Sequence, residues 1–292
     1  MIGHRFSRFF GENSVAALQS VSGKIDGVEC DIRFVLTSDK KIKLIVFHDD
    51  HGERLLAIQK PLKDISWEEI ESASVHINPF PPSEITPDKQ WMETMTVKRL
   101  PVPTLDDVLV ELAAWKKINP AVTFCAEVKF ENDDADTLQP FETEVLPTFV
   151  DDLIRQIKSH GLAENTIFLS YKSDVLVEIS KQWKESSKLK MAFLLGDWAH
   201  PQQGSNEKMR VKSEELMKSE LDKAVRIDAD HVFIYANILN DWGLDLVIEE
   251  CRKRNLKTIV GVAQSEPSYK RLLARPIDYI EVDHPVKAKE VK

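Results

Sequence analysis

The strongest constraint on the fold is an alternation that runs along the whole chain. Short runs rich in β-branched residues alternate with segments in which apolar residues recur every three or four positions. This pattern predicts parallel strands joined by crossover helices, because a strand covered on both faces is apolar throughout, whereas its covering helix is apolar on one side. Eight runs qualify as strands, at residues 2–5, 27–34, 122–130, 166–171, 190–195, 231–236, 257–263 and 279–283.

Eight strands with intervening helices favour a closed (β/α)8 TIM barrel over an open α/β sheet. The chain has 292 residues, a length that suits either roughly two domains or one barrel, since such barrels run to about 250 residues. An open doubly wound sheet usually carries a glycine-rich first turn, and no G-x-G-x-x-G or P-loop motif occurs here. We therefore expect residues 1–292 to form a single barrel domain.

Three regions depart from the regular alternation. Residues 42–48 follow a turn-like polar cluster, so they are expected to form the return arm of a hairpin that extends the second strand. Residues 50–100 are too many for a simple loop and predict an insertion over the barrel mouth. Only seven residues follow Pro285, so the eighth helix is expected to be short or absent. The apolar surface this leaves makes a homo-oligomer a possible partner arrangement.

Composition excludes several classes of function. Lys and Arg number 39 against 48 Asp and Glu, a formal net charge of −9, which argues against a nucleic-acid partner because phosphate backbones need clustered positive charge. No apolar run approaches the roughly 20 residues that span a bilayer, and the first residues lack the pattern of a signal peptide. Three scattered cysteines, Cys30, Cys125 and Cys251, do not make a disulfide framework. A reducing, cytoplasmic setting fits these features.

Carboxylates lie on neighbouring predicted strands, and active sites of such barrels lie at the carboxyl ends of strands. Period-two alternation places Glu29 and Asp31 on one face of the second strand, and Glu127 lies on the third. Buried together without a cation, three carboxylates would repel each other strongly. A divalent cation removes this objection. An all-oxygen set suits Mg²⁺ or Ca²⁺, with Mn²⁺ as a further option, and suits zinc poorly.

The neighbouring positive charges indicate an anionic substrate. Arg5, Lys129 and one divalent cation carry four positive charges against the three negative ones, and the remaining charge matches a phosphodiester monoanion. His4 and His48 lie at the ends of the first strand and the hairpin arm, and their ordinary pKa near neutrality suits an acid and a base. Together these residues predict metal-assisted cleavage of a phosphodiester.

Several short motifs resemble the signature of the glycerophosphodiester phosphodiesterase family. The N-terminal half carries the specific ones: Gly3-His4-Arg5, Gly11-Glu12-Asn13-Ser14, Asp26-Gly27-Val28-Glu29-Cys30-Asp31, Leu36-Thr37-Ser38-Asp39 and Phe47-His48-Asp49. Two later motifs, Ala126-Glu127-Val128-Lys129 and Leu169-Ser170-Tyr171, resemble the third and fourth strands of the family. The order His-Arg, Glu-x-Asp, His-Asp is the strongest signal.

The resemblance implies a (β/α)8 barrel with an insertion after the His-Asp strand. It also implies hydrolysis of glycerophosphodiesters, which are small molecules, to sn-glycerol 3-phosphate and an alcohol. By position it makes Glu29, Asp31 and Glu127 the metal ligands. It further implies His4 and His48 as the catalytic acid–base pair, and Arg5, Lys129 and Glu12 as substrate-binding residues, with Glu12 near the metal or the glycerol hydroxyls.

Two departures from the family pattern keep other functions open. Phe6 stands where the family usually has glycine, and residues 260–264 replace a usual Trp-Thr pattern in the seventh strand. One alternative is a lysophospholipase D that acts on lysophospholipids, as some members of the family do. Another is a homologue that binds phosphodiesters without cleaving them. The attacking nucleophile also stays open, as either water or the 2-hydroxyl of the glycerol.

Overall fold

Eight parallel strands close into a barrel in the computed structural model, which describes residues 1–7, 11–73, 75–76, 99–130, 138–184, 188–196 and 207–291. Strand β1 pairs with β2 on one side and with β11 on the other, and this closes the ring β1-β2-β6-β7-β8-β9-β10-β11. The predicted barrel is thus confirmed. In chain order the strands are β1 Ile2–Gly3, β2 Gly27–Leu36, β3 Ile42–Val46, β4 Val75–His76, β5 Arg99–Leu100, β6 Thr123–Val128, β7 Thr166–Ser170, β8 Met191–Leu194, β9 His231–Tyr235, β10 Lys257–Ala263 and β11 Tyr279–Val282.

Helices between the barrel strands cover the outside of the barrel, and several begin at side-chain caps. Ser14 accepts a hydrogen bond from the amide of Ala17, and Thr104 forms a reciprocal capping box with Asp107. These caps set where the chain turns from loop into helix. The described helices are α1 Val15–Val21, α2 Glu53–Leu56, α3 Trp67–Ser72, α4 Leu105–Ile118, α5 Pro140–Ser159, α6 Ser173–Gln182, α7 Glu207–Arg226, α8 Asp241–Lys253, α9 Glu266–Leu273 and α10 Pro285–Ala288.

Two separate apolar cores hold the barrel together. The larger core lies between the strands and the covering helices, and on β2 it takes Val28, Cys30 and Ile32. The smaller core fills the lumen with side chains that include Ile2, Cys125, Ile167, Leu169 and Phe233. Because side chains alternate along a strand, β2 gives its apolar residues to the outer core and turns Glu29 and Asp31 inward.

Strand β3 runs antiparallel to β2 and forms the predicted hairpin arm. Its outward face belongs to a third apolar cluster, in which Ile45 and Phe47 pack with residues that follow the hairpin. These include Leu55, Leu62 and Ile70. The described part of the predicted insertion, residues 50–73, therefore covers the hairpin. Residues 77–98 of the same insertion lie outside the described residues.

The last described helix, α10, has four residues, in agreement with the prediction of a short eighth helix. The three cysteines are buried and reduced. Within the described segments, every helix is too short or too polar to cross a bilayer. That residues 1–292 form a single domain stays a prediction.

We expect Leu112→Ala to lower the free energy of unfolding by about 2–5 kcal/mol, because a fully buried leucine leaves a cavity under α4. Val110→Ala is the matched control on the same helix, since Val110 is 51% exposed and surface changes usually stay within about 0.5 kcal/mol. Urea unfolding of both variants measures the difference. Equal losses would show that α4 does not pack on the barrel as described.

Candidate active site

Three carboxylates from neighbouring strands meet in the lumen. Asp31 of β2 lies directly opposite Glu127 of β6, and Glu29 lies two residues earlier on the same face of β2. Each of the three offers an oxygen, and these atoms all lie within 4.8 Å of one another. All three side chains are buried. Neighbouring parallel strands in register thus bring together the residues that were predicted as metal ligands.

The donor set of these carboxylates fits a hard divalent cation. Among the described residues, Oε1 of Glu29 is buried without a hydrogen-bond partner, as expected of an atom that awaits a ligand. Burial raises the pKa of Glu29 well above its usual range, and the nearby Asp31 raises it further. All three ligands are oxygen donors, which Mg²⁺, Ca²⁺ and Mn²⁺ accept and zinc favours less. These residues therefore suit a metal ion.

Asp31 is held ionised by its surroundings. Burial by itself raises the pKa of this carboxyl, but nearby positive charges, with Lys129 and Arg5 as the permanent ones, lower it well below its usual range. The amide nitrogen of the Asn13 side chain also donates to Oδ2 of Asp31 over 2.7 Å. Asp31 is thus fixed in orientation, and its pKa is shifted in the opposite direction from that of Glu29.

Two histidines at the rim are each paired with an aspartate. Nδ1 of His4 lies 2.6 Å from Oδ1 of Asp283, at the end of β11, and Nδ1 of His48 lies 2.8 Å from Oδ1 of Asp49. Burial lowers the pKa of His48 well below its usual value, and the positive charge of Arg5 adds to this effect. His48 is therefore neutral near pH 7.

The two aspartates differ in how much of their charge faces the histidine. Asp49 also accepts two hydrogen bonds from Arg54, over 2.7 and 2.6 Å, which draw its charge away from His48. Asp283 is fully buried beside His4. A buried carboxylate favours a protonated imidazole next to it. The geometry thus gives the two histidines different electrostatic surroundings.

Positive charges line the same end of the lumen. Lys129 lies 2.6 Å from Oε1 of Glu127 and 3.6 Å from Oδ1 of Asp31. Nη1 of Arg5 donates to Oε1 of Glu12 over 3.1 Å, and Arg54 donates to both oxygens of Glu12. Glu12 therefore holds two arginines at the site.

The loop that carries His4 and Arg5 takes an unusual backbone conformation. Arg5 and Phe6 both have positive φ angles, of 47° and 64°, a region that favours glycine. Phe6 adopts it with a fully buried side chain in the outer core. Gly3 is required nearby, because a Cβ there would lie 2.2 Å from the carbonyl oxygen of Phe6. The buried side chain of Phe6 thus fixes the position of this loop. In the family pattern the same position is usually a glycine, which adopts a positive φ angle without strain.

Four site residues were not predicted from the sequence: Asp49, Arg54, Glu281 and Asp283. Asp49 was noted only within the Phe47-His48-Asp49 motif, and Asp283 only as the last residue of the predicted strand 279–283. Period two from Asp283 would have placed Glu281 in the lumen as well. Arg54 lies in the inserted segment, where no periodicity gives its direction, so the sequence holds no signal for it.

These additional residues correct the charge count that the sequence suggested. If all were ionised, seven carboxylates would face the three fixed cations Arg5, Arg54 and Lys129, an excess of four negative charges, whereas the three carboxylates counted from sequence exceed Arg5 and Lys129 by one. The count from sequence was too low because it left out acidic residues whose position depends on the closure of the barrel. The seven carboxylates are Glu12, Glu29, Asp31, Asp49, Glu127, Glu281 and Asp283.

Two tyrosines lie beside the charged groups. Tyr171 and Tyr235 stack with ring centroids 6.1 Å apart, and their hydroxyl groups are in contact. Nζ of Lys129 lies 5.9 Å from the centre of the Tyr171 ring. Ser170, by contrast, donates to the carbonyl of Val128 and supports the backbone. The aromatic pair thus forms an apolar wall next to a cationic and acidic centre.

Comparison with protein-family models gives a match to the glycerophosphoryl diester phosphodiesterase family over residues 3–287. Sequence comparison with curated proteins gives no match at a significant level.

Comparison with solved structures finds the same fold at low sequence identity. A Silicibacter pomeroyi protein with the provisional description glycerophosphoryl diester phosphodiesterase has a TM-score of 0.75 at 15% identity, over 99% of this chain and 91% of its own. A glycerophosphodiester phosphodiesterase from Agrobacterium tumefaciens has a TM-score of 0.63 at 18% identity, with coverage of 99% and 98%. A phosphodiesterase from Oleispira antarctica, in complex with the product sn-glycerol-3-phosphate, has a TM-score of 0.67 at 15% identity, with coverage of 99% and 95%.

We expect Glu281→Gln to raise the melting temperature of the metal-free protein, and to do so more at about pH 8 than at about pH 5. Burial, and then the charge of Glu127, raise the pKa of Glu281 well above its usual range. The folded chain therefore holds a proton that the unfolded chain releases, so stability falls as the pH rises towards the folded pKa. Glutamine keeps the shape without that cost.

Thermal unfolding in EDTA at both pH values measures this effect. Glu142→Gln is the control, because Glu142 is also buried but caps α5, outside the lumen. A loss of stability for Glu281→Gln that is the same at both pH values would mean that Glu281 is ionised and well paired in the folded state.

Proposed function

The chain belongs to the glycerophosphoryl diester phosphodiesterase family and is a phosphoric diester hydrolase, and on this premise we propose that it cleaves glycerophosphodiesters to sn-glycerol 3-phosphate and an alcohol with the help of a divalent cation and two histidines. One observation carries the proposal: the carboxylate trio and two histidine–aspartate pairs converge at the same end of one barrel. The product named for the Oleispira antarctica relative supports the choice of substrate.

Glu29, Asp31 and Glu127 would hold the cation, which we propose is Mg²⁺ or Ca²⁺, with Mn²⁺ as a further option. When bound, it supplies Lewis-acid polarisation of a phosphoryl oxygen and neutralises the charge that grows in the transition state. The protein contributes rigidity to this site, because all three ligands lie on barrel strands and Asn13 fixes the orientation of Asp31.

We infer separate roles for the two histidines from their electrostatic surroundings. His48 has a lowered pKa, so it is neutral and suited to take a proton from the nucleophile. His4 lies against the buried carboxylate of Asp283, which stabilises its protonated form and suits it to give a proton to the leaving alkoxide. In each ring Nδ1 faces the aspartate, so Nε2 is the atom that would exchange the proton.

Arg5 and Lys129 would bind the phosphate oxygens of the substrate. Both are buried and lie within 4 Å of carboxylates of the site, so their charges are already in position. Glu12 receives hydrogen bonds from Arg5 and Arg54, so its support of Arg5 is direct. A contact of Glu12 with the cation or with glycerol hydroxyls stays a prediction.

Other expectations from the sequence stay predictions in the same sense. The cytoplasmic location rests on the cysteines, all three of which are reduced and buried. A homo-oligomer rests on the short α10 helix. The nucleophile is either water or the neighbouring 2-hydroxyl of glycerol, which would produce a cyclic phosphate first.

We expect the protein to hydrolyse glycerophosphocholine with added Mg²⁺, Ca²⁺ or Mn²⁺ and to lose this activity in EDTA. The reason is that the cation balances an excess of buried carboxylate charge next to the scissile phosphate. Choline release measures the rate, and restoring the metal is the control for damage by the chelator. Full activity in EDTA would contradict the metal requirement.

The same assay separates the alternatives. Faster hydrolysis of lysophosphatidylcholine than of glycerophosphocholine would favour a lysophospholipase D. Metal-dependent binding of glycerophosphocholine without any release of choline would favour a non-catalytic binding protein. Trapping of a cyclic phosphate would identify the 2-hydroxyl of glycerol as the nucleophile.

We expect His4→Ala and His48→Ala each to lower kcat by about 10²–10⁴, because each removes a proton-transfer group. His160→Ala is the control, since the ring of His160 lies at the end of α5 and pairs with Asp106 of the outer helix α4. The pH profile separates the two roles. A base must be unprotonated, so His48→Ala should remove the rising limb of the kcat profile at low pH. An acid must be protonated, so His4→Ala should remove the falling limb at high pH. The opposite assignment of limbs would exchange the roles.

A further inference from the structure

Glu281 is a buried carboxylate for which the reaction proposed above has no use. It lies on β11 with its Cα opposite Ile2, and its side chain is 1% exposed. Among the described residues, its Oε1 has no hydrogen-bond partner. A buried, unpartnered carboxylate oxygen is costly unless something binds it. This residue therefore indicates a ligand beside the carboxylate trio.

A second donor set forms around Glu281. An oxygen of Glu281, an oxygen of Glu29 and a nitrogen of His4 all lie within 4.8 Å of one another. Glu29 also belongs to the trio with Asp31 and Glu127, so the two sets share one carboxylate. Glu29 has one oxygen engaged by the amide of Arg5, over 2.8 Å, whereas its other oxygen has no hydrogen-bond partner among the described residues.

The barrel wall leaves room for Glu281 at one position. Gly261 of β10 is its neighbour, and a Cβ at position 261 would lie 2.8 Å from Cβ of Glu281 and 3.1 Å from its Oε2. A larger residue would therefore displace the carboxylate. This is the strand whose sequence departs from the family pattern, so the glycine and the glutamate form a matched pair across β10 and β11.

We propose that Glu281, Glu29 and His4 form a second, inhibitory divalent-cation site that shares Glu29 with the first. With all seven carboxylates ionised by cation binding, the excess of four negative charges would be neutralised by two cations and halved by one. Two-metal sites that share ligands typically hold their ions about 3.5–4 Å apart, a spacing that a bridging carboxylate allows.

The donors of the second site differ in chemistry from those of the first. The trio offers oxygen alone, which suits Ca²⁺ and Mg²⁺. The second set includes an imidazole nitrogen, which suits transition metals such as Mn²⁺ better than Ca²⁺. Ca²⁺ should therefore fill the first site only, whereas Mn²⁺ should fill both.

Inhibition follows from the double use of His4, and this part rests on the proposed function. A His4 nitrogen that ligates a cation cannot give a proton to the leaving alkoxide. Low Mn²⁺ should therefore activate the enzyme through the first site, and excess Mn²⁺ should inhibit it through the second. Excess Ca²⁺ should not inhibit.

Metal binding by the full-length protein tests the site without any assay of activity. Equilibrium dialysis should give two Mn²⁺ per chain for the wild type and one for Glu281→Gln, but one Ca²⁺ per chain for both. Glu142→Gln, with its buried carboxylate outside the lumen, should keep two Mn²⁺. His4→Ala removes the nitrogen donor, which lies in the loop after β1, and should also give one. Circular dichroism checks that each variant is folded.

The outcomes separate this proposal from the proposed function. One Mn²⁺ in the wild type, or two in both Glu281→Gln and His4→Ala, would overturn the second site. Two Mn²⁺ in the wild type together with no turnover in any metal would leave the site standing and overturn the function. With turnover present, the rate of the wild type should fall by at least tenfold in excess Mn²⁺. The absence of that fall would overturn the inhibitory role.

Discussion

The site depends on carboxylates that are crowded into a lumen with too little positive charge to balance them. Glu29, Asp31, Glu127 and Glu281 are all buried, and Arg5 and Lys129 are their nearest fixed cations. In a region of low dielectric, such crowding raises the pKa of Glu29 and of Glu281 well above the usual range. This crowding of carboxylates does not stabilise the metal-free fold, since isolated buried charges are strongly unfavourable. The same crowded carboxylates are suited to bind cations.

The rest of the barrel mouth is built to orient groups around that charge. Two aspartates fix Nδ1 of two histidines, and Glu12 holds Arg5 and Arg54. Such supporting contacts determine which atom of each side chain faces a substrate. Because Asp49 shares its charge with Arg54 whereas Asp283 is buried beside His4, the two histidine–aspartate pairs are alike in geometry and unlike in electrostatic surroundings.

Two departures from the family pattern acquire a physical reason in the structure. Phe6 replaces a usual glycine at a positive φ angle, and its buried ring anchors the loop in the outer core, which offsets the strained backbone. Gly261 lies in the altered seventh barrel strand and leaves the space that Glu281 occupies. Neither change touches the carboxylate trio or the two histidines. Both change what surrounds them.

The sequence by itself determined the barrel, its strands, the hairpin arm and the core of the site. It could do so because period-two alternation fixes which residues of β2 and β6 face the lumen, and because parallel neighbours bring Asp31 and Glu127 opposite each other. Only the tertiary structure decided the pairing of His4 with Asp283, the contacts of Arg54 and the position of Glu281 beside Glu29. These contacts join residues from opposite ends of the chain or from an irregular segment. The proximity of His4 to Asp283 and of Glu281 to Glu29 follows from the closure of the ring between β1 and β11, which no local pattern encodes.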